Sequence, residues 1–418
     1  MATPVNELVF ACNWPTQSNY EHGGTVHYEG NVPVEVVVAT PSPPATPVNG
    51  GGRCLEVDST FGGIDSGLIQ ITRQDALADI QDGSMSALLR PKTNPGALLP
   101  ILFGPDTGSL GGFIPALNTS KQLLLTSYLG VTLAGPSTTV IDAASPDWYL
   151  IEHRWSVPNR SLDFRIFKYN SGAWDLLETV SAYDKQFGST NYLRWGRPYG
   201  SASGAYYMTN FSMWAGGGWP PWLPNFEWLM PNVVSTNHAS WVKGDTGTDD
   251  AANEPGYVNE VPPSDVSTSY VKITAVDNTA AVIQYYRNAG FPTGKNILGV
   301  GGVARCYGQT LNAAARVRLK HGANLFYGQQ LIPEAAKYFY AQVFSSVIPP
   351  ARTTAVRPVE TDRWDDTDLN TTCEWGHSIA DSAGQERRVS QVGMYMLHGA
   401  DEYEISRRGI GRAQVIGG

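Results

Sequence analysis

The sequence predicts an all-β protein: two tandem antiparallel β-sandwiches joined by a Gly/Pro/Trp linker. Three observations predict it. Short runs of alternating apolar and polar residues recur along the chain, while long helical periodicity is nearly absent. The composition is rich in turn formers and rings, with 44 Gly, 28 Pro and 11% aromatic residues, a profile suited to many short strands and tight connections. A strand of the kind that closes a sandwich occurs twice, at residues 206–214 and again at 388–397. A length of 418 residues leaves room for two or three domains with sizeable cores.

The first half, residues 5–215, opens with Leu8-Val9-Phe10. Residues 34–38 form a β-branched apolar run, and the proline- and glycine-rich stretch 41–52 is a loop. Strands are expected at 54–57, 67–72, 84–90, 123–128, 148–155, 162–169 and 206–214, with one short helix at 74–81. In Leu162-Asp163-Phe164-Arg165-Ile166 the apolar residues point inward and the charges outward. Residues 216–226 are the linker, where Gly216-Gly217-Gly218 bends the chain and three prolines stiffen it. Its Trp219 and Trp222 are unusual for a free tether and are expected to pack between the halves or against a neighbouring subunit.

The second half, residues 227–397, carries an acidic loop at 244–263 and strands at 270–274, 282–286, 298–307, 313–321, 337–345 and 388–397. Between the last two lies Trp364-Asp365-Asp366-Thr367-Asp368-Leu369, which reads as a capped turn: an Asp carboxylate accepts the free backbone N–H groups while Trp364 and Leu369 clasp over them. Residues 398–418, with Arg407 and Arg408, form an arm that orders on a partner.

The net charge of -9 argues against a general nucleic-acid binder. Only 16% of residues are charged, below the usual quarter, which points to a surface partly covered by other proteins. Cys12, Cys54, Cys306 and Cys373 include no C-x-x-C pair, so buried thiols are expected rather than a zinc site. The N-terminal residues lack the charge and apolar run of a signal peptide, and no run is long enough for a membrane span. Synthesis in the cytosol is the expectation.

No motif carries a full catalytic set, and no cofactor is implied. Glu56 and Asp58 lie two apart, as a glycosidase pair would, but the further Glu that jelly-roll hydrolases place after them is Thr60 or Phe61 here. His22 and His27 sit in a glycine-bearing loop without completing ligands, and His153 alternates with charges on a strand. Residues 245–250 put three aspartates close together without calcium-loop spacing, so a solvated acidic loop is expected. Arg316, Arg318 and Lys320 form an outward basic stripe on one strand. Together with Trp219, Trp222, Arg407 and Arg408 they make the candidate interaction surface; the tryptophans could equally stack on sugar rings.

The order Val261-Pro262-Pro263-Ser264-Asp265, Ser269-Tyr270-Val271, Cys306-Tyr307-Gly308, the Trp364 turn, Glu374-Trp375-Gly376 and Arg388-Val389-Ser390-Gln391-Val392 resembles a group of tailed-bacteriophage virion structural proteins. The first half, through its Gly-bounded strands and Asn210-Phe211-Ser212-Met213-Trp214, resembles concanavalin A-like (laminin-G-like) jelly-roll sandwiches. The resemblance implies two jelly-roll domains in a non-enzymatic particle subunit, tail-associated or capsid-decorating. Such a subunit assembles in the host cytoplasm, homo-oligomerises, contacts other virion proteins and presents a host-facing surface. The alternative is a carbohydrate-binding or polysaccharide-degrading jelly-roll protein that meets a host surface glycan.

Overall fold

Strand follows strand at the short spacing that the alternating residues set. The computed structural model describes residues 7–12, 18–20, 25–29, 34–37, 53–58, 68–72, 81–101, 113–127, 130–145, 147–170, 173–185, 192–195, 204–215, 218–219, 225–229, 232–236, 240–244, 246–248, 253–259, 270–274, 283–288, 290, 297–308, 315–327, 337–345, 364–379 and 385–398. Residues 7–72 and 337–345 are described by their backbone course only.

The first half contributes β1 (Glu7–Cys12), β2 (Ser18–Tyr20), β3 (Thr25–Glu29), β4 (Val34–Val37), β5 (Arg53–Asp58), β6 (Leu68–Thr72), β7 (Asp82–Thr93), β8 (Leu99–Pro100), β9 (Phe113–Leu117), β10 (Leu123–Ser127), β11 (Thr132–Ala134), β12 (Tyr149–Ser156), β13 (Ser161–Asn170), β14 (Ala173–Ala182), β15 (Tyr192–Trp195) and β16 (Ala205–Ala215). The second half contributes β17 (Asn225–Leu229), β18 (Val233–Thr236), β19 (Val242–Lys243), α1 (Glu254–Val258), β20 (Val271–Thr274), β21 (Gln284–Arg287), β22 (Ile297–Gly308), β23 (Ala315–His321), β24 (Asn324–Tyr327), β25 (Lys337–Ser345), α2 (Asp366–Thr371), β26 (Cys373–Ile379) and β27 (Glu386–His398). The protein is thus all-β, with two short helices among the described residues. Neither is long or apolar enough to cross a membrane.

Among the described residues four sheets form two stacked pairs. In the first half an eight-stranded sheet runs β14-β13-β12-β7-β16-β5-β4, with β1 beside the far end of β16, and it packs on the four-stranded sheet β11-β10-β9-β8. The long strand β16 serves two neighbours: its first residues pair with β5 and its last with β1. In the second half the five-stranded sheet β18-β21-β26-β23-β24 packs on β22, β25 and β27. Val317, Leu319 and Trp375 from one sheet meet Val389, Val392, Met394 and Met396 from the other in one buried cluster. Each such side chain contributes roughly 1.5–3 kcal/mol by leaving water.

The capped turn at Trp364 is present as α2. Asp365 Oδ1 accepts from the Asp368 N–H at 2.7 Å, the Asp365 N–H donates to Asp368 Oδ2 at 3.2 Å, and Trp364 and Leu369 are both buried. This is a capping box with a hydrophobic staple.

Three features depart from the sequence reading. The acidic loop 244–263 contains the helix α1, and its Glu254 is buried rather than solvated. The sequence reading lacks β2, β3, β8, β9, β11, β14, β15, β17, β18, β19, β24 and β26; in β14, Trp174, Leu176 and Leu177 follow no strict alternation because the strand carries a bulge opposite Ile166 and Phe167. And β2 pairs with β25 in parallel, so one ten-stranded sheet, β15-β6-β3-β2-β25-β22-β27-β20-β19 with β17 beside β27, joins strands from both halves. Joining two sheet edges removes two open ladders that would otherwise seek outside partners. The expected helix at 74–81 lies, but for Gln81, outside the described residues.

Candidate functional site

The two faces of the eight-stranded sheet differ in chemistry. Register fixes which residues share a face: Tyr149 pairs with Leu89, Ile151 with Ala87 and His153 with Met85 across β12/β7, and the same three residues pair with Lys168, Ile166 and Phe164 across β12/β13. The face toward β9 and β10 is a conventional core, with Met85, Ala87, Leu89, Ile151, Leu162, Phe164 and Ile166 buried. Phe113 of β9 meets His153 and Trp155 edge-on, at centroid distances of 5.5 and 5.9 Å.

The outer face begins with a row of rings across five strands. Trp174 of β14 pairs with Tyr169 of β13, whose N–H donates to the Trp148 carbonyl at 2.9 Å. One step beyond the Tyr149–Leu89 pair, Trp148 neighbours Arg90 of β7, and Arg90 pairs with Tyr207 of β16. Leu88, Trp148, Leu150 and Phe167 form the buried floor, and half-buried Tyr169, Trp174 and Tyr207 lie against it. The Tyr169 and Trp174 rings are 5.0 Å apart at 55°. The Arg90 guanidinium carbon is 5.8 Å, and Lys92 Nζ 6.0 Å, from the Tyr207 ring centre. Lys168, Asn170 and Asp175 alternate with the row and belong to the other face: Asn170 Nδ2 donates to Asp175 Oδ2 at 3.2 Å, and Lys168 Nζ lies 2.7 Å from Asp147. Burial alone would raise the Asp147 carboxyl; hydrogen bonds from Lys168 and Ser145 outweigh it and hold the group below its ordinary value.

Further along the same strands the outer face turns polar. Ser86 and Ser212 share a hydrogen bond of 2.7 Å, and Trp214 Nε1 donates to Ser212 at 3.1 Å. Arg154 Nε donates to Asp163 Oδ2 at 2.7 Å, and Glu152 pairs across the ladder with Arg165. Glu152 and Asp163 are only 2% and 3% exposed. The charges of β12 and β13 therefore do point away from the core, but into a covered face rather than into solvent. Burial pulls the Arg165 guanidinium below its ordinary value.

Trp219 lies over this polar end. Its ring centre is 4.5 Å from the Arg154 guanidinium carbon and 4.0 Å from that of Arg165. The linker tryptophan thus packs on the first half's own sheet. Trp222, Arg407 and Arg408 lie outside the described residues, as do residues 245, 249 and 250 and the side chains of His22, His27, Glu56 and Asp58. By backbone register Glu56 lies opposite Tyr207, at the end of the aromatic row.

The basic stripe on β23 is not an open surface. Arg318 is 6% exposed and its Nε donates to Ser378 at 2.8 Å, while Lys320 binds Glu374 and sits over the Tyr285 ring. Arg316 is half-buried on the same side. A strand inside a five-stranded sheet has its outward side chains gripped by those of β26 and β21, which single-strand alternation does not reveal. Cys306 and Cys373 are buried free thiols, the first pushed up to about 12 by burial; the side chains of Cys12 and Cys54 lie outside the described residues.

A second polar cluster lies in the second half. The Tyr286 hydroxyl donates to Glu254 Oε1 at 3.2 Å and lies 3.2 Å from His377 Nε2, with Trp241 edge-on to the imidazole at 4.3 Å. All four side chains are buried, so the cluster can dock α1 on the sheet but offers a ligand no entry.

No protein-family model matches the chain, and no curated protein matches it in sequence. Several solved structures superpose on parts of it. The cellulose induced protein Cip1 is 12% identical, with a TM-score of 0.29 over 45% of this chain and 89% of its own. Arcelin-5, a lectin-like defence protein from Phaseolus vulgaris, is 11% identical, with a TM-score of 0.29 over 51% of this chain and 98% of its own. A GH54 α-L-arabinofuranosidase is 10% identical, with a TM-score of 0.31 over 66% of this chain and 67% of its own. At such scores the likenesses decide nothing about ligand or activity.

Proposed function

We propose that the protein binds carbohydrate through the outer face of its eight-stranded sheet. The carrying observation is the row Trp174, Tyr169, Trp148, Arg90 and Tyr207, which spreads the half-buried rings of Trp174, Tyr169 and Tyr207 and a guanidinium across five strands, over a buried Trp148. Five adjacent strands span about 19 Å, long enough for several sugar rings laid across them. The C–H faces of a pyranose are attracted to the negative face of an aromatic ring, and the Arg90 guanidinium beside Tyr207 is a hydrogen-bond donor to hydroxyls.

Binding without cleavage is the reading. Hydrolysis calls for a paired acid and nucleophile or base, whereas Asp163 is held by Arg154 and Glu152 lies across from Arg165, both in the covered part of the face. A glycan array with the full chain, paired with a reducing-sugar assay on the polysaccharides it retains, tests this. Retention without saccharide release is expected. Release that Glu56→Gln abolishes would make the protein a hydrolase, and an empty array would remove the reading.

A second reading, a structural subunit of a phage particle bridging its neighbours, is favoured by one specific feature. The outer strand β14 exposes Leu176 and Leu177, and Val131, just before β11, and Val140 are exposed as well. An apolar sheet edge of this kind pairs readily with another chain. Sedimentation of the full chain at rising concentration separates the readings: assembly that Leu177→Lys abolishes supports the subunit.

A further inference from the structure

The outer face of the eight-stranded sheet continues past the aromatic row, and its lower part is built in a way that a permanently covered surface is not. Along β7 the residues on this face run Arg90, Leu88, Ser86, Ser84; along β13 they run Tyr169, Phe167, Arg165, Asp163. Six residues of strand measure about 20 Å, so the polar end lies well within the reach of one extended oligosaccharide that starts on the rings.

Buried polar groups in a settled interface have hydrogen-bond partners. Here Ser84 Oγ, Asp163 Oδ1 and Arg165 Nε are all buried without one. They supply a hydroxyl on β7 and an acceptor and a donor on β13, on either side of β12, the set that meets sugar hydroxyls. What lies on the two arginines is an indole, its ring centre 4.5 and 4.0 Å from their guanidinium carbons. The apolar face of a sugar ring can take the place of an indole on such planes.

We infer that Trp219 is a strap over a second, polar half of the ligand face, and that its displacement extends the groove from the aromatic row to Ser84, Asp163 and Arg165. The inference deepens the carbohydrate-binding reading and rests on it. With Trp219 seated, the protein holds short saccharides on the rings; with Trp219 displaced, a longer chain also satisfies the polar groups. The strap thereby selects for ligands long enough to compete with it.

The test uses the full chain, Trp219→Ala and Trp219→Phe, titrated calorimetrically with β-glucan and xylan oligosaccharides as disaccharides and as hexasaccharides. Trp219→Ala is expected to bind a hexasaccharide about tenfold more tightly than the parent protein while its affinity for the disaccharide stays the same, and Trp219→Phe, which keeps a ring on the arginines, is expected to follow the parent. Amide exchange, measured without sugar, is expected to accelerate at Arg154 and Arg165 in Trp219→Ala alone. A hexasaccharide affinity unchanged or weakened in Trp219→Ala, with the parent binding both sugars, overturns the strap and makes Trp219 a fixed anchor. Failure of the parent to bind either sugar instead overturns the carbohydrate reading, and unchanged exchange in Trp219→Ala would then dispose of the strap as well.

Discussion

His153 and His377 occupy matching places in the two halves, mid-strand and wholly buried between stacked sheets, yet their surroundings differ. His153 faces Phe113, Trp155, Met85 and Phe164, and neither ring nitrogen has a hydrogen-bond partner. His377 is linked through Nε2 to the Tyr286 hydroxyl, and that hydroxyl donates to Glu254. Because Tyr286 spends its proton on Glu254, its oxygen accepts from His377, which places the imidazole proton on Nε2. One architecture thus holds a histidine in two ways: as a ring among rings, and as the inner end of a chain that pins α1 to the sheet. The difference shows that the sandwich sets burial, while connections outside the strands decide whether a polar group finds a partner.

The largest effect should come from glycines that seal these two places. A Cβ on Gly376, next to His377, would lie 1.9 Å from the Gln284 carbonyl oxygen, which belongs to the adjoining ladder and cannot retreat. A Cβ on Gly83 would meet the Trp155 indole at 2.4 Å, a side chain with some freedom to tilt. Gly376→Ala is expected to cost more than about 3 kcal/mol and Gly83→Ala about 1–3 kcal/mol, read as shifts in denaturant midpoint. The reverse order would mean that the first half is the tighter one.

Acid should act on both halves. Burial lowers each histidine from 6.5 to about 3. Between those values the unfolded chain takes up a proton that the folded chain refuses, so stability is full above pH 6.5 and is lost as pH falls toward 3. The slope is about 1.4 kcal/mol per pH unit for each histidine, or about 2 kcal/mol each by pH 5. His153→Leu is expected to remove its share entirely. His377 is expected to lose a similar amount, because its second proton would go onto Nδ1, which is buried without a partner. Unfolding curves at pH 7.5 and pH 5 for the parent, His153→Leu and His377→Leu decide the point; an acid loss that neither substitution reduces would contradict the burial of both neutral rings.

Tyr286→Phe removes the middle of the chain and leaves both Glu254 and Nε2 buried without it, at a cost of about 1–3 kcal/mol. Faster amide exchange is expected in α1 and not in the first half. The smallest effect belongs to the cap of α2: Asp365→Ala should cost about 1 kcal/mol and leave both histidine environments unaltered by NMR.

Much of the fold was legible in the sequence because its signals are local. The alternation in residues 162–166 gave β13, and the spacing of Trp364, Asp365, Asp368 and Leu369 gave the capped turn that forms α2, since both depend on neighbours a few positions away. The β2–β25 pairing was not legible, because Ser18 and Gln342 meet across more than three hundred intervening residues. The candidate site was hidden for the same reason. Arg90, Trp148, Tyr169, Trp174 and Tyr207 are unremarkable in isolation and form a row only once the registers of five strands are set. Trp219 drew notice as an aromatic in a linker, but its seat on Arg154 and Arg165 depends on two strands that lie far behind it in the chain.

The most direct test of the central claim is the affinity of one retained soluble polysaccharide for the parent protein, Trp174→Ala and Tyr207→Ala, alongside the thermal midpoint of each. Loss of the rings at either end of the row is expected to weaken binding at least about tenfold with the fold intact. Parent-like affinity in both variants, at unchanged thermal midpoints, would contradict a ligand site on this face.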